Sequence, residues 1–150
     1  MIMTEKPVCS CTQTTAAKII IPCAGQANTG QITNLAALQL ADEGYGKVVC
    51  ASLLGTGNEG LIEKAKNAEE VVVLDGCHMN CVAKMAECHG VLVGQHLVVT
   101  DHGITKGPSR SYTDDDVEKI VAACWKGEGR TDEPKRRGHV CTCGCGGSCE

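Results

Sequence analysis

Four short apolar runs divide the chain, and each is followed by a turn and then by residues with helical spacing. The runs consist mainly of Val, Ile and Leu and show no alternation of polar and apolar positions. Such runs are typical of strands that are buried on both faces, as in a parallel sheet. They predict strands over residues 18–21, 47–53, 71–74 and 95–100.

The intervening segments carry apolar residues three and four positions apart, which indicates amphipathic helices. Strands that alternate with helices predict a three-layer α/β fold of the Rossmann or flavodoxin type, with a four-stranded, mostly parallel sheet. The second and third strands lie beside the first if the first is central. Helices are predicted over residues 30–43, 58–69, 78–88 and 113–126.

The two ends of the chain differ from this pattern. Residues 1–17 lack periodicity, and residues 128–150 are too rich in Gly, Cys and charged residues to form a hydrophobic core. We therefore predict one α/β domain over residues 18–127 between two flexible, Cys-bearing tails.

Composition limits the classes of function. The chain has 150 residues, 12 cysteines, a net charge of −4 and no Phe, so no nucleic-acid partner is expected. It shows no secretion-signal pattern and no apolar stretch approaching ~18 residues, which favours a cytoplasmic location and no membrane partner. Cysteines in that compartment usually serve metal or redox chemistry rather than disulfides.

Four cysteines follow or interrupt the predicted strands. Cys23 stands just past the first strand, Cys50 lies inside the second, and Cys77 and Cys81 follow the third. The ligand crevice of a parallel α/β sheet lies beyond the carboxyl ends of its strands, so these sulfurs are expected close together. A divalent cation such as zinc would relieve the repulsion between the thiolates. The alternative for Cys23 and Cys50 is ordinary burial in the core.

The helix predicted over residues 78–88 gives a further reason to regard Cys77 and Cys81 as metal ligands or reactive thiols. Cys81 would lie in its first turn and Cys77 beside its start, where unpaired backbone N–H groups and the helix dipole favour a thiolate. Cys88 and Cys124 are predicted to pack in the core. His102 is interpreted as a surface residue, with a proton carrier or additional ligand as the alternative.

Three ordered motifs carry a resemblance to a known family. The segments PCAG at 22–25, C-x-x-L-x-G at 50–55 and DGCHMNC at 75–81 resemble the DGC-domain family, named for its Asp-Gly-Cys triplet. The resemblance covers about residues 18–106. It implies a compact α/β domain in which Cys23, Cys50, Cys77 and Cys81 bind zinc. His78 departs from the expected pattern, and its nitrogen could replace one sulfur.

A glycine motif supports a different hypothesis. Residues 55–60 read GTGNEG, after a predicted strand and before a predicted helix, and Asp75 follows Gly55 by twenty residues. This spacing matches the dinucleotide-binding fingerprint. The same glycines are also common in any tight turn, and Asp75 already belongs to the DGC triplet.

The carboxyl-terminal tail forms a second candidate metal site. Cys-x-Cys spacing with intervening glycines lets a flexible chain wrap a soft metal ion. Cys9 and Cys11 at the other end could complete such a site, and the alternative is a tail with merely exposed thiols. The candidate ligands are Cys141, Cys143, Cys145 and Cys149, with His139 beside them.

Three hypotheses of function follow from these residues. The first is a zinc-binding protein for metal or sulfur handling, whose partners are the metal ion and a protein that receives metal or sulfur. The second is an iron–sulfur or thiol-redox protein that uses the same cysteines. The third is a nucleotide-dependent or sulfur-transfer enzyme with an activated cysteine. The first is favoured, and no catalytic residue is assigned.

Removal of residues 139–150 tests the tail hypothesis. The truncated protein should bind less metal per chain, because the clustered thiols are lost, while the core site should keep its metal. Elemental analysis of both proteins after anaerobic purification measures the difference. Equal metal content in the two proteins would contradict a tail site.

Overall fold

The computed structural model describes residues 18–131, in which strands and helices alternate as the apolar runs predict. The strands are β1 (Ile19–Pro22), β2 (Lys47–Val48), β3 (Val71–Asp75) and β4 (Gln95–Val98). The helices are α1 (Asn28–Asp42), α2 (Ala51–Gly55), α3 (Glu59–Asn67), α4 (Cys81–Cys88) and α5 (Asp114–Trp125), and a 3₁₀ turn at Val99–His102 follows β4.

The strands form one sheet in the order β2-β1-β3-β4, and all three neighbouring pairs are parallel. This confirms the predicted four-stranded sheet and the central position of β1. The chain runs from β1 outward to β2 on one side, and from β3 outward to β4 on the other. The order therefore reverses between β1 and β3, where α/β folds place their ligand crevice.

Successive residues of the strands enter two separate hydrophobic cores, one on each face of the sheet. Ile20 and Val72 point toward α1 and α5, whereas Ile19 and Val71 point toward α2, α3 and α4. Since the central strands β1 and β3 bury both faces, their sequences show no polar alternation. The result is the predicted three-layer arrangement.

The second strand is shorter than predicted. We expected residues 47–53, but β2 ends at Val48 and the chain then enters α2, whose Leu54 is fully buried. Pairing with β1 extends only to the Ile20–Val48 register. A short apolar run fits a strand or a buried helical turn equally well, so periodicity alone could not place this boundary.

The described part of the chain beyond α5 packs along β4. His96 N–H donates to the carbonyl of Gly129, Thr131 N–H donates to that of Gly94, and Arg130 forms an antiparallel bridge with Gln95. These residues cover an otherwise open edge strand. The predicted tail at 1–17 and residues 132–150 of the tail predicted at 128–150 lie outside the described residues. Within 18–131, no helix combines the length and hydrophobicity needed to cross a bilayer.

Three glycines allow α1 to start against the loops that follow β1 and β3. A Cβ on Gly30 would lie 2.5 Å from the carbonyl oxygen of Gly25, and a Cβ on Gly76 would lie 2.9 Å from the nitrogen of Gly30. Real side chains do not approach backbone this closely. The first turn of α1 therefore touches both loops, and this contact requires glycine at positions 30 and 76.

Substitution Gly30→Ala should destabilise the fold by about 1–3 kcal/mol, because the added methyl group has to displace backbone rather than a flexible side chain. The matched control is Gly60→Ala in α3, where a Cβ would meet only the Asn58 side chain at an ordinary 3.5 Å. The control should be as stable as the wild type or slightly more stable. Urea unfolding of the three proteins measures the difference, and equal stability of Gly30→Ala and wild type would contradict the close contact.

Candidate functional site

A cleft of about 440 Å³ lies at the carboxyl edge of the sheet, at the point where the strand order reverses. Its walls come from the loop after β1, the start of α1, the loop after β3 and the loop before α5. The lining residues are Cys23, Gly25, Gln26, Ala27, Thr29, Gly30, Gly76, Cys77, Met79, Cys81, Lys106, Gly107, Pro108 and Ser109.

Three of the four candidate core cysteines line this cleft. Cys23 and Cys77 are half-buried, and Cys81 is exposed at the first position of α4. Cys50 is not among the lining residues: it follows β2 at the same sheet edge, is exposed, and occupies the N-cap position of α2. We expected Cys50 inside the second strand, and the early end of β2 corrects that placement.

The three cleft thiols are not already arranged around one point. Within residues 18–131, no three His, Cys, Asp or Glu side chains lie close enough together to hold a metal ion as they stand. A site at the cleft therefore requires the sulfurs to approach one another. Cys81 is exposed and Cys77 is half-buried, whereas Cys23 packs against the hydrophobic core, so the approach would fall to Cys77 and Cys81.

Asp75, the first residue of the DGC triplet, has a structural role. Its carboxylate is almost fully buried and accepts hydrogen bonds from the backbone N–H of Val82 at 3.0 Å and of Ala83 at 3.3 Å. The ring nitrogen of His96 lies 2.8 Å from the same carboxylate. A carboxylate on the first-turn N–H groups stabilises the start of a helix, so Asp75 anchors α4 to the sheet.

This arrangement corrects the expected start of the helix. We predicted α4 from residue 78, but Asn80 has a left-handed backbone conformation with φ of 51° and α4 begins at Cys81. Cys77 consequently lies four residues before the helix. Cys81 lies in the first turn as predicted, but the first-turn N–H groups of Val82 and Ala83 bind Asp75 rather than a cysteine sulfur.

A lysine contacts the cysteine of the triplet. Lys106 Nζ donates to Cys77 Sγ at 3.5 Å, and its side chain is exposed. The loop that carries Lys106 is fixed by the buried side chain of Asn28, which donates to the carbonyls of Thr105 and Ser111 and accepts from Gly107 N–H. Asn28 thus positions the ammonium group of Lys106 at the cleft.

The opposite wall is held by a buried threonine of α1. Thr33 Oγ1 lies 3.7 Å from Cys23 Sγ, donates to the carbonyl of Gly30 at 2.6 Å and accepts from Ala24 N–H at 3.1 Å. Ala24 itself has φ of 47°, a left-handed conformation that turns the chain sharply after β1. The threonine therefore fixes the position of Cys23 relative to α1.

A family model for the DGC domain matches residues 19–124. The chain belongs to the DGC domain family. It is similar to the Anaerobic and virulence modulator AnvM of Pseudomonas aeruginosa, with 26% identity over 102 residues that cover 68% of this chain and 78% of the relative. No solved structure matches the chain significantly. The resemblance inferred from the three sequence motifs is confirmed.

The histidines of this DGC domain lie outside the cleft. His78, considered as a replacement ligand, is exposed and pairs with Asp101, with 2.6 Å between Nε2 and Oδ1. His102 Nδ1 lies 3.5 Å from a carboxylate oxygen of Glu128. Neither histidine is among the cleft-lining residues, and both are engaged by carboxylates on the surface.

The glycine motif lacks the placement that dinucleotide binding requires. Gly55 ends α2 and Gly60 lies in the first turn of α3, so the motif joins two helices rather than a strand and a helix. The carboxylate of Asp75, which the fingerprint would direct to a ribose, is instead bound to α4 and His96. The spacing of the glycines matches the dinucleotide-binding fingerprint, but the elements on either side of the motif do not.

Sequence reasoning missed three residues of the site: Asn28, Thr33 and Lys106. All three lie within segments that the family resemblance already covers, GQITNLAA and VVTDHGITKG, or directly before them. A lysine in the loop after the last strand of a parallel sheet was a usable signal, because that loop also lies at the carboxyl edge.

The remaining cysteines differ sharply in environment. Burial raises the pKa of the Cys124 thiol to about 12, and Cys124 packs in the core as predicted. Cys88, also predicted to be buried, is exposed at the end of α4. Backbone N–H groups of Leu53 and Ser52 hydrogen-bond to Cys50 and lower the pKa of its exposed thiol.

These pKa directions predict the order of alkylation. Cys50 should react with iodoacetamide with a half-maximal rate below pH ~8.5, the ordinary thiol value, because its thiolate is stabilised. Cys124 should stay unmodified until the protein unfolds, because it is buried and protonated. Peptide mass spectrometry over a pH series measures both rates. Labelling of Cys124 in the folded protein at a rate similar to that of Cys50 would contradict the structure.

Proposed function

We propose that this DGC domain binds a soft divalent metal ion, zinc, through Cys23, Cys77 and Cys81. The observation that carries the proposal is that these three cysteines, from the ends of both central strands, line one cleft. Thiolates are the ligands that zinc prefers in such sites. The described residues around the cleft include no carboxylate or imidazole that would compete for the ion.

The charge of the cleft suits such a centre. Three thiolates and one divalent cation carry a single net negative charge, and the ammonium group of Lys106 beside Cys77 balances it. Zinc binds thiolates rather than thiols, so binding releases protons and should weaken as the pH falls.

The fourth coordination position is open to an additional ligand. Cys50, the remaining cysteine of the set that the family resemblance implies, lies at the same sheet edge but outside the cleft. It belongs to the five-residue helix α2, so a small shift of that segment would be needed to bring its sulfur to the ion. We infer that Cys23, Cys77 and Cys81 form the main site and that Cys50 contributes less.

The name of the relative in Pseudomonas aeruginosa, an anaerobic and virulence modulator, describes regulation rather than catalysis. A thiol site whose metal content depends on the redox state of its cysteines would suit regulation. We therefore propose a regulatory or metal-handling role for this chain.

Single Cys→Ser substitutions test the metal site. Cys23→Ser, Cys77→Ser and Cys81→Ser should each weaken zinc binding by more than the roughly 10- to 100-fold that follows loss of an outer-shell partner, because a direct ligand is removed. Zinc per chain and competition with a chelator, measured on full-length protein purified without oxygen, give the effect.

The matched control is Cys88→Ser. Cys88 is also exposed and also lies on α4, but it does not line the cleft, so its removal should leave zinc binding unchanged. Equal losses in Cys88→Ser and Cys77→Ser would contradict the site. If the wild-type protein instead contains iron with visible absorbance, and the same three variants lose it, the site holds an iron–sulfur cluster rather than zinc.

A further inference from the structure

The cleft is larger than a metal ion needs. Its volume of about 440 Å³ falls in the range of small-molecule sites, roughly 300–1,000 Å³, whereas a closed structural zinc site has no such space. Much of its wall is backbone and small side chains, since Gly25, Gly30 and Gly76 all line it. A compound of several atoms can therefore reach the thiols.

The charged groups of the cleft wall determine whether an anionic or a cationic compound is favoured. Apart from the cysteines, Lys106 is the one described lining residue with an ionisable side chain, and no carboxylate lines the cleft. At the start of α1, the N–H groups of Asn28 and Thr29 already donate to the carbonyl of Gly107 and to Asn28 Oδ1. Lys106 is therefore the group that favours a small anion near Cys77.

Cys77 is the cleft thiol that Lys106 contacts. It is half-buried and has the Lys106 ammonium 3.5 Å from its sulfur, whereas Cys23 lies against the Thr33 hydroxyl on the opposite wall. A cation beside the sulfur can hold an anionic sulfur compound in contact with the nucleophile. It also stabilises the negative charge that moves to the departing sulfur during reaction.

We infer that Cys77 is an acceptor of sulfane sulfur from small hydropolysulfide anions, HS–Sn⁻, in which one terminal sulfur carries a proton and the other end carries the charge. The Cys77 thiolate attacks the protonated terminal sulfur, and a new S–S bond forms on Cys77. The adjacent S–S bond of the donor breaks, and its electron pair leaves with the shortened polysulfide dianion. The proton stays on the transferred sulfur, so the products are a Cys77 persulfide and the departing dianion. No further oxidant or reductant takes part.

This reaction does not rest on zinc binding, because it needs a free Cys77 thiolate. A metal ion on Cys77 would in fact block the attack. The experiment therefore uses full-length protein that has been reduced, treated with a chelator and shown by elemental analysis to be free of metal. Its result is independent of the zinc titrations.

Inorganic polysulfide is the probe. Metal-free protein is incubated with it, samples are alkylated over time, and peptide mass spectrometry follows the addition of one sulfur atom at Cys77, Cys50 and Cys88. Cys77 should gain sulfur faster than the more exposed Cys88. Its rate should fall as ionic strength rises, because salt screens the attraction between Lys106 and the anion.

The variant Lys106→Met tests whether the charge of Lys106, rather than the exposure of the thiol, sets the rate of sulfur transfer to Cys77. The rate at Cys77 should fall roughly five-fold, the effect of a charge contact worth about 1 kcal/mol, while the rate at Cys50 stays unchanged. Lys106→Arg should retain the wild-type rate. Because Lys106 is exposed, thermal unfolding of both variants should match the wild type.

Two results would overturn the inference. One is transfer to Cys88 at least as fast as transfer to Cys77 in the wild-type protein. The other is a Lys106→Met variant in which the rates at Cys77 and Cys50 are both unchanged or both lowered by the same factor. Either result would assign the modification to general thiol exposure.

Discussion

The contact of α1 with the loops after β1 and β3 is the constraint on which the cleft depends. Gly30 in the first turn of α1 touches Gly25 on one side and Gly76 on the other, at distances that leave no room for a side chain. The contact brings two loops together at the point where the strand order reverses. Cys23 and Cys77 therefore face a shared space.

The three residues of the DGC triplet have three separate physical roles. Asp75 binds the first-turn N–H groups of α4 and so fixes the helix that carries Cys81. Gly76 allows α1 to approach, and Cys77 contributes its thiol to the cleft. Only one of the three offers a reactive group. The triplet is best understood as a loop conformation that presents a thiol beside a fixed helix.

The two proposals, metal binding and sulfur acceptance, both use Cys77 but differ in what they would require of Lys106. A bound cation needs the ammonium only to balance the excess negative charge of its ligands. An anionic sulfur compound needs it as a direct contact. The Asn28 side chain holds the loop that positions Lys106 through three hydrogen bonds, and it accepts a fourth from the N–H of Thr29 in α1. Such a fully satisfied, buried amide indicates a loop with one defined position.

The fold was largely predictable from local sequence. Strands buried on both faces need continuous apolar runs, and β1 and β3 each show such a run at the expected place, whereas β4 begins with Gln95 and His96. The pattern failed at β2, because the apolar residues after Val48 suit a helical turn as well as a strand. The position of Leu54 in the core decided between them, and that depends on packing.

The set of residues that line the cleft was harder to predict from the sequence. Local sequence was sufficient to select Cys23, Cys77 and Cys81, because thiols just after central parallel strands must lie at one edge of the sheet. It could not separate Cys50 from them or find Lys106. Those placements depend on the turn at Asn80, on the early end of β2 and on the contact of Asn28 with Thr105, 77 positions away in the chain. Side-chain direction at a loop follows from such long-range contacts, and no local pattern of residues encodes it.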